Sequence, residues 1–406
     1  MPAPFIWWLG HTIHLYILGF KMKSGNLTNS TLSIVFLTII FSVMTLFLFL
    51  DKEEINKVEN RKLAELPTFD LGKLDPFPRQ YDDYYTDHFP FRSQLVEAFN
   101  KFNYSNFKIS PLPDKVVVGL NDFLFMSGKQ MEVYQGKKLF TQTELNTILD
   151  ELKYRRDFCT KEGAKFYFVI VPQKSSIYEE NIPIKYKTTR QKTIRTQLED
   201  FLDEQGFPYI DPTDYLISKK TTEDLVYLRT DNHWNNLGAF YASQHITDAI
   251  KKDFPYTSPL VLEQFKVTKN ETAGGNLAQM LNMAEELKDE DYAFEKIKGS
   301  VAVSGKKAPY EPPKSFAYPW EYEEVYLKPD ANDLKILIIR ESFGTKQRQF
   351  YRESFGKTVM IFDAWQHRLN ADIIENEKPD IVVIQILENM LGNLLTYPAE
   401  AENINK

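Results

Sequence analysis

The apolar residues of this 406-residue chain follow two different patterns. Residues 31–50 form one continuous apolar run without a charged side chain. From residue 115 onward, short apolar runs of strand length alternate with amphipathic segments of helix length, which predicts an α/β fold with a mostly parallel sheet. The predicted strands are 116–119 and 123–125 as a hairpin, then 166–171, 207–210, 335–339, 358–362 and 381–386. The predicted helices are 79–108 with an interruption at Pro90, then 141–161, 190–204, 236–252 and 345–356.

The run 31–50 has the length of a transmembrane helix, because about 20 apolar residues span the hydrocarbon core of a bilayer. Two lysines precede it and three acidic residues follow it, which favours an uncleaved signal anchor with its N-terminus in the cytoplasm. We therefore expect a cytoplasmic segment over 1–30, of which 1–21 is an over-extended start or an interfacial segment. A stalk over 51–75 and an extracytoplasmic domain over 76–406 would follow, in the periplasm or outside the cell.

One segment, 258–327, breaks the alternation of strands and helices. It contains two adjacent glycines, many charged residues and a run rich in proline and aromatic residues. We interpret it as a loop-rich insertion that folds over the carboxyl ends of the strands. Its aromatic side chains either stack on sugar rings or pack locally; they are Tyr310, Phe316, Tyr318, Trp320, Tyr322 and Tyr326.

Composition and charge exclude several classes of function. The chain is 43% hydrophobic and 14% aromatic, enough for a large core, and its formal charge is 49 − 56 = −7. Because no long basic run is present, nucleic acid is not an expected partner. Cys159 is the single cysteine, so neither an intrachain disulfide nor a cysteine-based metal site can form, and we expect it in the core. No cofactor or metal is predicted.

A candidate nucleophile follows the predicted strand 335–339. Ser342 lies in the turn between this strand and the helix 345–356. Such a turn can raise a serine Oγ above the sheet, while backbone N–H groups at the helix start point toward an oxyanion. Serine is also a good helix N-cap, so the position alone leaves both interpretations open.

An acid and a base occur together in a second stretch. Asp231 and His233 are two residues apart, and in an extended segment side chains at this spacing leave the same side of the chain. Asp231 could then orient His233, whose far ring nitrogen would be free to take a proton from Ser342. The alternative is that Asp231 or Asn232 caps the helix 236–252.

Taken together, these two stretches resemble a known family. The D-x-H-W element at 231–234, followed about a hundred residues later by (D/E)-S-F-G at 341–344, is similar to the SGNH-like acetyltransferases of the alginate O-acetylation type, the DHHW proteins. In these the Asp/His pair precedes the serine, as here. Further matching elements lie at 87–92, at 171–174 with Tyr178, at 274–281, and at 378–385 with Glu388, within 76–395. The chain departs from the family pattern at Asn232, Asn276, Glu341 and Asn389.

The resemblance implies a fold, an activity and roles for residues. The fold would be a three-layer SGNH-hydrolase-like sheet. An acetyl group would pass onto Ser342 and then to a hydroxyl of a cell-surface polysaccharide, with His233 as general base and acid and Asp231 orienting it. The Ser342 N–H would be the first oxyanion donor. The remaining oxyanion or substrate candidates are Gly275, Asn276, Glu341 and Lys174, although Lys174 could equally be a surface lysine.

The resemblance also implies partners. Besides the polysaccharide acceptor, a multispanning membrane O-acyltransferase would supply the acetyl group. Two alternatives remain open from the sequence: a carbohydrate esterase with the same triad, and a non-catalytic polysaccharide assembly or binding module.

Overall fold

The computed structural model describes residues 27–49, 55–56, 61–69, 72, 75–187, 192–299, 301–314 and 316–399. The chain divides into two compact units, Met1–Ala98 and Phe99–Lys406. The helices are α1 Leu27–Phe49, α2 Pro76–Asp87, α3 Arg92–Phe107, α4 Lys129–Tyr134, α5 Gln142–Lys161, α6 Lys174–Ile177, α7 Ile194–Glu204, α8 Thr213–Lys219, α9 Asn236–Lys251, α10 Asn276–Met280, α11 Gly344–Ser354, α12 Ala371–Glu377 and α13 Asn393–Thr396. The strands are β1 Ile55–Asn56, β2 Arg61–Lys62, β3 Val116–Val118, β4 Leu124–Met126, β5 Lys165–Val171, β6 Phe265–Thr272, β7 Asp289–Lys296, β8 Val303–Ser304, β9 Glu323–Leu327, β10 Lys335–Arg340, β11 Lys357–Phe362 and β12 Ile381–Leu387.

In the first unit, one helix is long and apolar enough to cross a membrane. Within α1, the 20 residues Ser30–Phe49 form this candidate span, and nearly all of their side chains are exposed. The predicted span 31–50 agrees with it, apart from Leu50, which lies outside the described residues. The predicted segment 1–21 and 12 of the 25 residues of the predicted stalk 51–75 also lie outside them.

The second unit is built on one sheet with the strand order β5-β12-β10-β11-β9-β8. Strands β5, β12, β10 and β11 are parallel, whereas β9 and β8 add antiparallel at one edge. Alternate residues of β10 enter different cores: Leu337 and Ile339 on one face, Ile336 and Ile338 on the other. A sheet buried on both faces by helices is a three-layer α/β structure, which confirms the predicted fold class.

The predicted insertion 258–327 is more regular than its composition indicates. Strands β6 and β7, of eight residues each, form an antiparallel hairpin, and the short helix α10 lies in the connection between them. Strands β8 and β9 belong to the main sheet, because β9 pairs with β11 from Leu327 to Glu323. The prediction of a loop-rich segment up to residue 327 was therefore wrong at its C-terminal end. Charged residues in β9, next to the edge of the sheet, disguise the apolar alternation of this strand.

Aromatic residues of this segment pack on one another and on the rings of Phe362 and Trp365. Phe316 is buried, and its ring lies 4.9 Å from that of Phe362 and 5.8 Å from that of Trp365. Tyr322 is also buried, whereas Trp320 is 67% exposed. These contacts favour local packing over a row of sugar-stacking rings.

Candidate active site

The turn that carries Ser342 is fixed by hydrogen bonds from its own residues. Glu341 Oε2 accepts the Phe343 N–H at 2.6 Å, and the Glu341 carbonyl accepts the Gly344 N–H at 3.0 Å. The Ser342 carbonyl accepts the Thr345 N–H at 3.1 Å. Among the described residues, no acceptor contacts the Ser342 N–H itself. The turn therefore presents one unoccupied backbone donor beside the serine hydroxyl, as an oxyanion requires.

The structure brings Asp231, His233 and Ser342 together. His233 Nδ1 lies 2.7 Å from Asp231 Oδ1, and His233 Nε2 lies 2.9 Å from Ser342 Oγ. The Ser342 hydroxyl thus faces the imidazole, and α11 has no side-chain N-cap bond. Burial opposes ionisation of Asp231, but hydrogen bonds from His233 and from the Asn276 N–H outweigh it and lower the pKa of the carboxyl. A permanently ionised acid is suited to stabilise a protonated imidazole.

Trp234 ties the histidine loop to the serine turn. Its indole is fully buried, and Nε1–H donates to the Phe343 carbonyl at 3.0 Å. The Phe343 ring lies 5.0 Å from the Trp234 ring and 4.7 Å from the His233 ring. Trp234 and Phe343 therefore connect the loop that carries His233 to the turn that carries Ser342.

The helix after this loop, α9, has an N-cap other than the two residues that the sequence suggested for that role. Asn235 accepts the Gly238 N–H at 2.8 Å and is the N-cap of α9. Neither Asp231 nor Asn232 caps this helix, so that alternative is wrong. The Asp231 carboxylate remains available to His233.

Gly275 and Asn276 lie at the site, where they hold the acid. The Asn276 N–H donates to Asp231 Oδ2 at 2.9 Å, and the Gly275 N–H donates to Thr230 Oγ1 at 2.8 Å. The Asn276 side chain also bonds Asn232, accepting its N–H at 3.0 Å. Because both backbone donors are occupied, these contacts favour orientation of Asp231 over the oxyanion role predicted for the pair.

Lys174 is buried at the carboxyl end of β5 and is not a surface lysine. Its ammonium donates to the carbonyls of Leu228, Arg229 and Asp231 at 3.0, 2.9 and 2.6 Å. Burial lowers the pKa of Lys174 to about 7, and the charges of Asp289 and Asp231 oppose this shift. With its donors occupied, Lys174 contacts the catalytic loop and leaves no N–H for an oxyanion.

Glu341 is fully buried beside the serine. Burial raises the pKa of Glu341 to about 7, against the Phe343 N–H and the charges of His233 and Arg340. Among the described residues, Glu341 Oε1 has no hydrogen-bond partner.

Two further acids at the site were missed from the sequence. Asp289 accepts the N–H groups of Arg229 and Thr230 at 3.1 and 2.7 Å, and the Thr230 hydroxyl at 2.7 Å. Asp291 accepts the Asn236 N–H at 2.7 Å and forms an ion pair with Lys346 of α11. The available signal was an acid at alternate positions of β7, which also fits a solvent-facing strand.

Comparisons with known proteins identify a matching family model and similar proteins. The model of the family "SGNH hydrolase-like domain, acetyltransferase AlgX" matches residues 116–307. The resemblance predicted from the motifs is confirmed. The chain is 25% identical over 220 residues to the probable alginate O-acetylase AlgJ of Pseudomonas aeruginosa, covering 52% of this chain and 51% of that protein. It is 26% identical over 192 residues to the AlgJ of Pseudomonas syringae, covering 47% and 46%.

The chain spans about half the length of the curated relatives it matches. The solved structure of Bacillus cereus PatB1 aligns at a TM-score of 0.50 with 15% identity, covering 68% of this chain and 97% of PatB1. The O-acetyltransferase domain of Pseudomonas putida AlgJ aligns at 0.44 with 16% identity, covering 68% and 92%. The PatB1 match establishes the shared fold. The matched residues 116–307 include Asp231 and His233 but not Ser342. The position of Ser342 next to His233 therefore comes from the fold of this chain.

Proposed function

We propose that this chain is a serine-dependent O-acetyltransferase that modifies hydroxyls of a cell-surface or exported polysaccharide through an acetyl-Ser342 intermediate. The observation that carries the proposal is the continuous hydrogen-bonded series from Asp231 through His233 to Ser342, beside an unoccupied Ser342 N–H. The similarity to the probable alginate O-acetylase AlgJ and to the family model of the AlgX acetyltransferase domain supports acetyl transfer as the reaction class.

Each half of the reaction uses the same groups. His233 Nε2 takes the Ser342 proton as Oγ attacks the acetyl carbonyl, whose oxygen becomes negative beside the Ser342 N–H. Collapse of this intermediate breaks the bond to the donor oxygen, which receives the proton from His233. A polysaccharide hydroxyl then gives its proton to His233 and attacks the acetyl carbonyl of acetyl-Ser342. Collapse of this second intermediate breaks the bond between the carbonyl carbon and Ser342 Oγ, Oγ takes the proton back from His233, and the acetylated polysaccharide leaves.

The location and partners of the enzyme are part of the proposal. The α1 helix would anchor the chain as a single-pass protein with the sheet domain outside the cytoplasm, in keeping with one apolar helix near the N-terminus. Alginate acetylation by the relatives supports a polysaccharide acceptor. A multispanning membrane O-acyltransferase would deliver the acetyl group to this side of the membrane.

Mass spectrometry of the intact protein after exposure to an activated acetyl ester tests the covalent step. Wild type should gain one acetyl group on Ser342, and Ser342→Ala should gain none. Ser354, at the end of the same helix α11, offers a matched control, because Ser354→Ala removes a buried hydroxyl outside the triad. Wild-type protein that neither gains an acetyl group on Ser342 nor hydrolyses the activated ester would leave only a non-catalytic binding module.

Acceptor dependence separates the transferase from a carbohydrate esterase with the same triad. A transferase should move acetyl from Ser342 to added polysaccharide, and its acetyl-enzyme should decay slowly in buffer alone. Rapid decay in buffer with no acetylated polysaccharide would instead support the esterase.

A further inference from the structure

The peptide groups of the catalytic loop are held from two sides by opposite charges. On one side, the Lys174 ammonium donates to the carbonyls of Leu228, Arg229 and Asp231 at 2.6–3.0 Å. On the other, the Asp289 carboxylate accepts the backbone N–H groups of Arg229 and Thr230. The two residues come from different elements, α6 after β5 and the strand β7 of the inserted hairpin. The Lys174 ammonium therefore binds backbone carbonyls, and the Asp289 carboxylate binds backbone N–H groups, within residues 228–231.

This arrangement is closed to solvent. Lys174 and Asp289 are each 2% exposed, and the Lys174 ammonium lies 5.7 and 5.3 Å from the ring centres of Phe123 and Phe125. Buried carbonyls that lost their donor could not turn to water, and an unpaired buried polar group is strongly unfavourable. The Arg229 carbonyl also accepts the Leu124 N–H at 2.8 Å, whereas among the described residues Lys174 is the only donor to the carbonyls of Leu228 and Asp231.

We propose that Lys174 and Asp289 form a charge clamp that positions Asp231 for catalysis, and that loss of the Lys174 proton loosens the clamp and lowers activity at alkaline pH. The inference rests on the proposed acetyltransferase function. A protonated lysine has three donors, matching the three carbonyls, whereas the neutral amine has two donors and a lone pair. Deprotonation would leave one carbonyl facing that lone pair.

The surroundings of Lys174 place its titration in an accessible range. Burial lowers the pKa of Lys174 to about 7, while Asp289 from β7 and Asp231 from the loop oppose the shift. From the hairpin β3–β4, the uncharged rings of Phe123 and Phe125 lie near the Lys174 ammonium. Asp231 has a lowered pKa and stays ionised throughout this range. Removing the Asp289 charge should therefore lower the pKa of Lys174 further.

A pH series of Ser342-dependent ester hydrolysis tests the clamp on the full chain, with p-nitrophenyl acetate as the probe. Wild-type kcat should fall as pH rises above about 7. Lys174→Met should lower kcat about 10- to 100-fold at pH 6.5, the effect of a catalytic group misplaced by about 1 Å, with little change in KM. This variant should also lack the alkaline fall. Asp289→Asn should shift the fall to lower pH.

Lys220→Met is the matched control, since Lys220 also donates to a backbone carbonyl, that of Ile177, but does not contact the catalytic loop. It should keep the wild-type profile. If Lys174→Met has wild-type kcat and pH profile, the clamp is overturned. If Lys174→Met does not fold, the comparison of wild type with Asp289→Asn tests the clamp instead. If kcat falls over the same alkaline pH range in these two proteins, the clamp is overturned as well.

Failure of the clamp and failure of the proposed function are distinguishable. If wild type lacks Ser342-dependent activity, the proposed function fails, and the clamp is then tested without catalysis. The ¹H–¹⁵N NMR signal of the Lys174 ammonium should move on titration with a midpoint near pH 7, and with a lower midpoint in Asp289→Asn. A midpoint near 10.4, the value of an ordinary lysine, would overturn the clamp.

Discussion

Substituting Gly275 with alanine should damage catalysis without removing any catalytic atom. An added Cβ at Gly275 would lie 2.4 Å from Asp231 Cβ, 2.6 Å from Oδ2 and 2.9 Å from Cγ. The backbone at Gly275 has φ −73° and ψ −166°, which alanine adopts without strain. The effect of Gly275→Ala is therefore steric, and it is directed at the acid of the triad.

The expected loss of rate follows from the distance by which the added Cβ and Asp231 must move apart. Carbon atoms in contact are separated by about 3.5–4.0 Å, so Asp231 or the Gly275 backbone must move by roughly 1 Å. Asp231 holds His233 through a 2.7 Å bond, and a displacement of this size in a catalytic group costs about 10²-fold in rate. Overpacking should lower the free energy of unfolding by about 1–3 kcal/mol, leaving most of the protein folded.

Initial rates of activated-ester hydrolysis and urea unfolding curves should be measured on the same preparations. Gly392→Ala is the matched control, because nothing lies within 4 Å of a Cβ added there. The control should keep wild-type kcat. If Gly275→Ala is folded and retains more than about a third of wild-type kcat, the close packing of Gly275 on Asp231 does not position the triad, and the reasoning is refuted.

Three further predictions concern the contact between Trp234 and Phe343, the titration of Lys174 and the orientation of the chain in the membrane. Trp234→Phe removes the hydrogen bond from Nε1 to the Phe343 carbonyl and the buried contacts of the larger indole ring, so the free energy of unfolding should fall by about 1–3 kcal/mol in urea titrations, with kcat reduced. Because the pKa of Lys174 is lowered to about 7 in the folded state, the unfolded state binds more protons above that pH; wild-type stability relative to Lys174→Met should rise from pH 7 toward pH 10 by up to about 1.4 kcal/mol per unit, and a flat difference would contradict this. Protease added to intact cells or spheroplasts should digest the sheet domain, whereas complete protection would reverse the proposed orientation.

Local patterns were enough to predict the elements that present the serine and the histidine. The strand predicted at 335–339 is β10, ending one residue later, and the helix predicted at 345–356 is α11. Both rest on short-range signals: a run of branched apolar residues, then a turn with glycine. The family motif predicted that Asp231, His233 and Ser342 would meet, and the hydrogen bonds agree with that geometry.

Long-range partners account for what the sequence did not predict. Asp289 looks like any acid on a hairpin strand until the backbone N–H groups of residues 229 and 230 are placed against it. Lys174 looks like a surface lysine for the same reason, since its carbonyl partners are more than fifty residues away. Strand β9 was assigned to the insertion because its acids hide the alternation, while its pairing with β11 decides its place. Each of these signals exists only in the folded chain.

The two carboxyl groups nearest the imidazole differ in environment, and this difference separates their roles. Asp231 receives hydrogen bonds from His233 and Asn276, and its pKa is lowered, so it carries the negative charge opposite Nδ1. Glu341 is fully buried, and its pKa is raised to about 7, so near neutral pH it is partly protonated while it holds the Phe343 N–H. Two acids whose pKa values are pushed apart can serve one site without competing for the same proton. In the proposed mechanism, a fixed charge at Asp231 would stabilise the protonated base, and partial protonation of Glu341 would reduce the negative charge beside an oxyanion at Ser342.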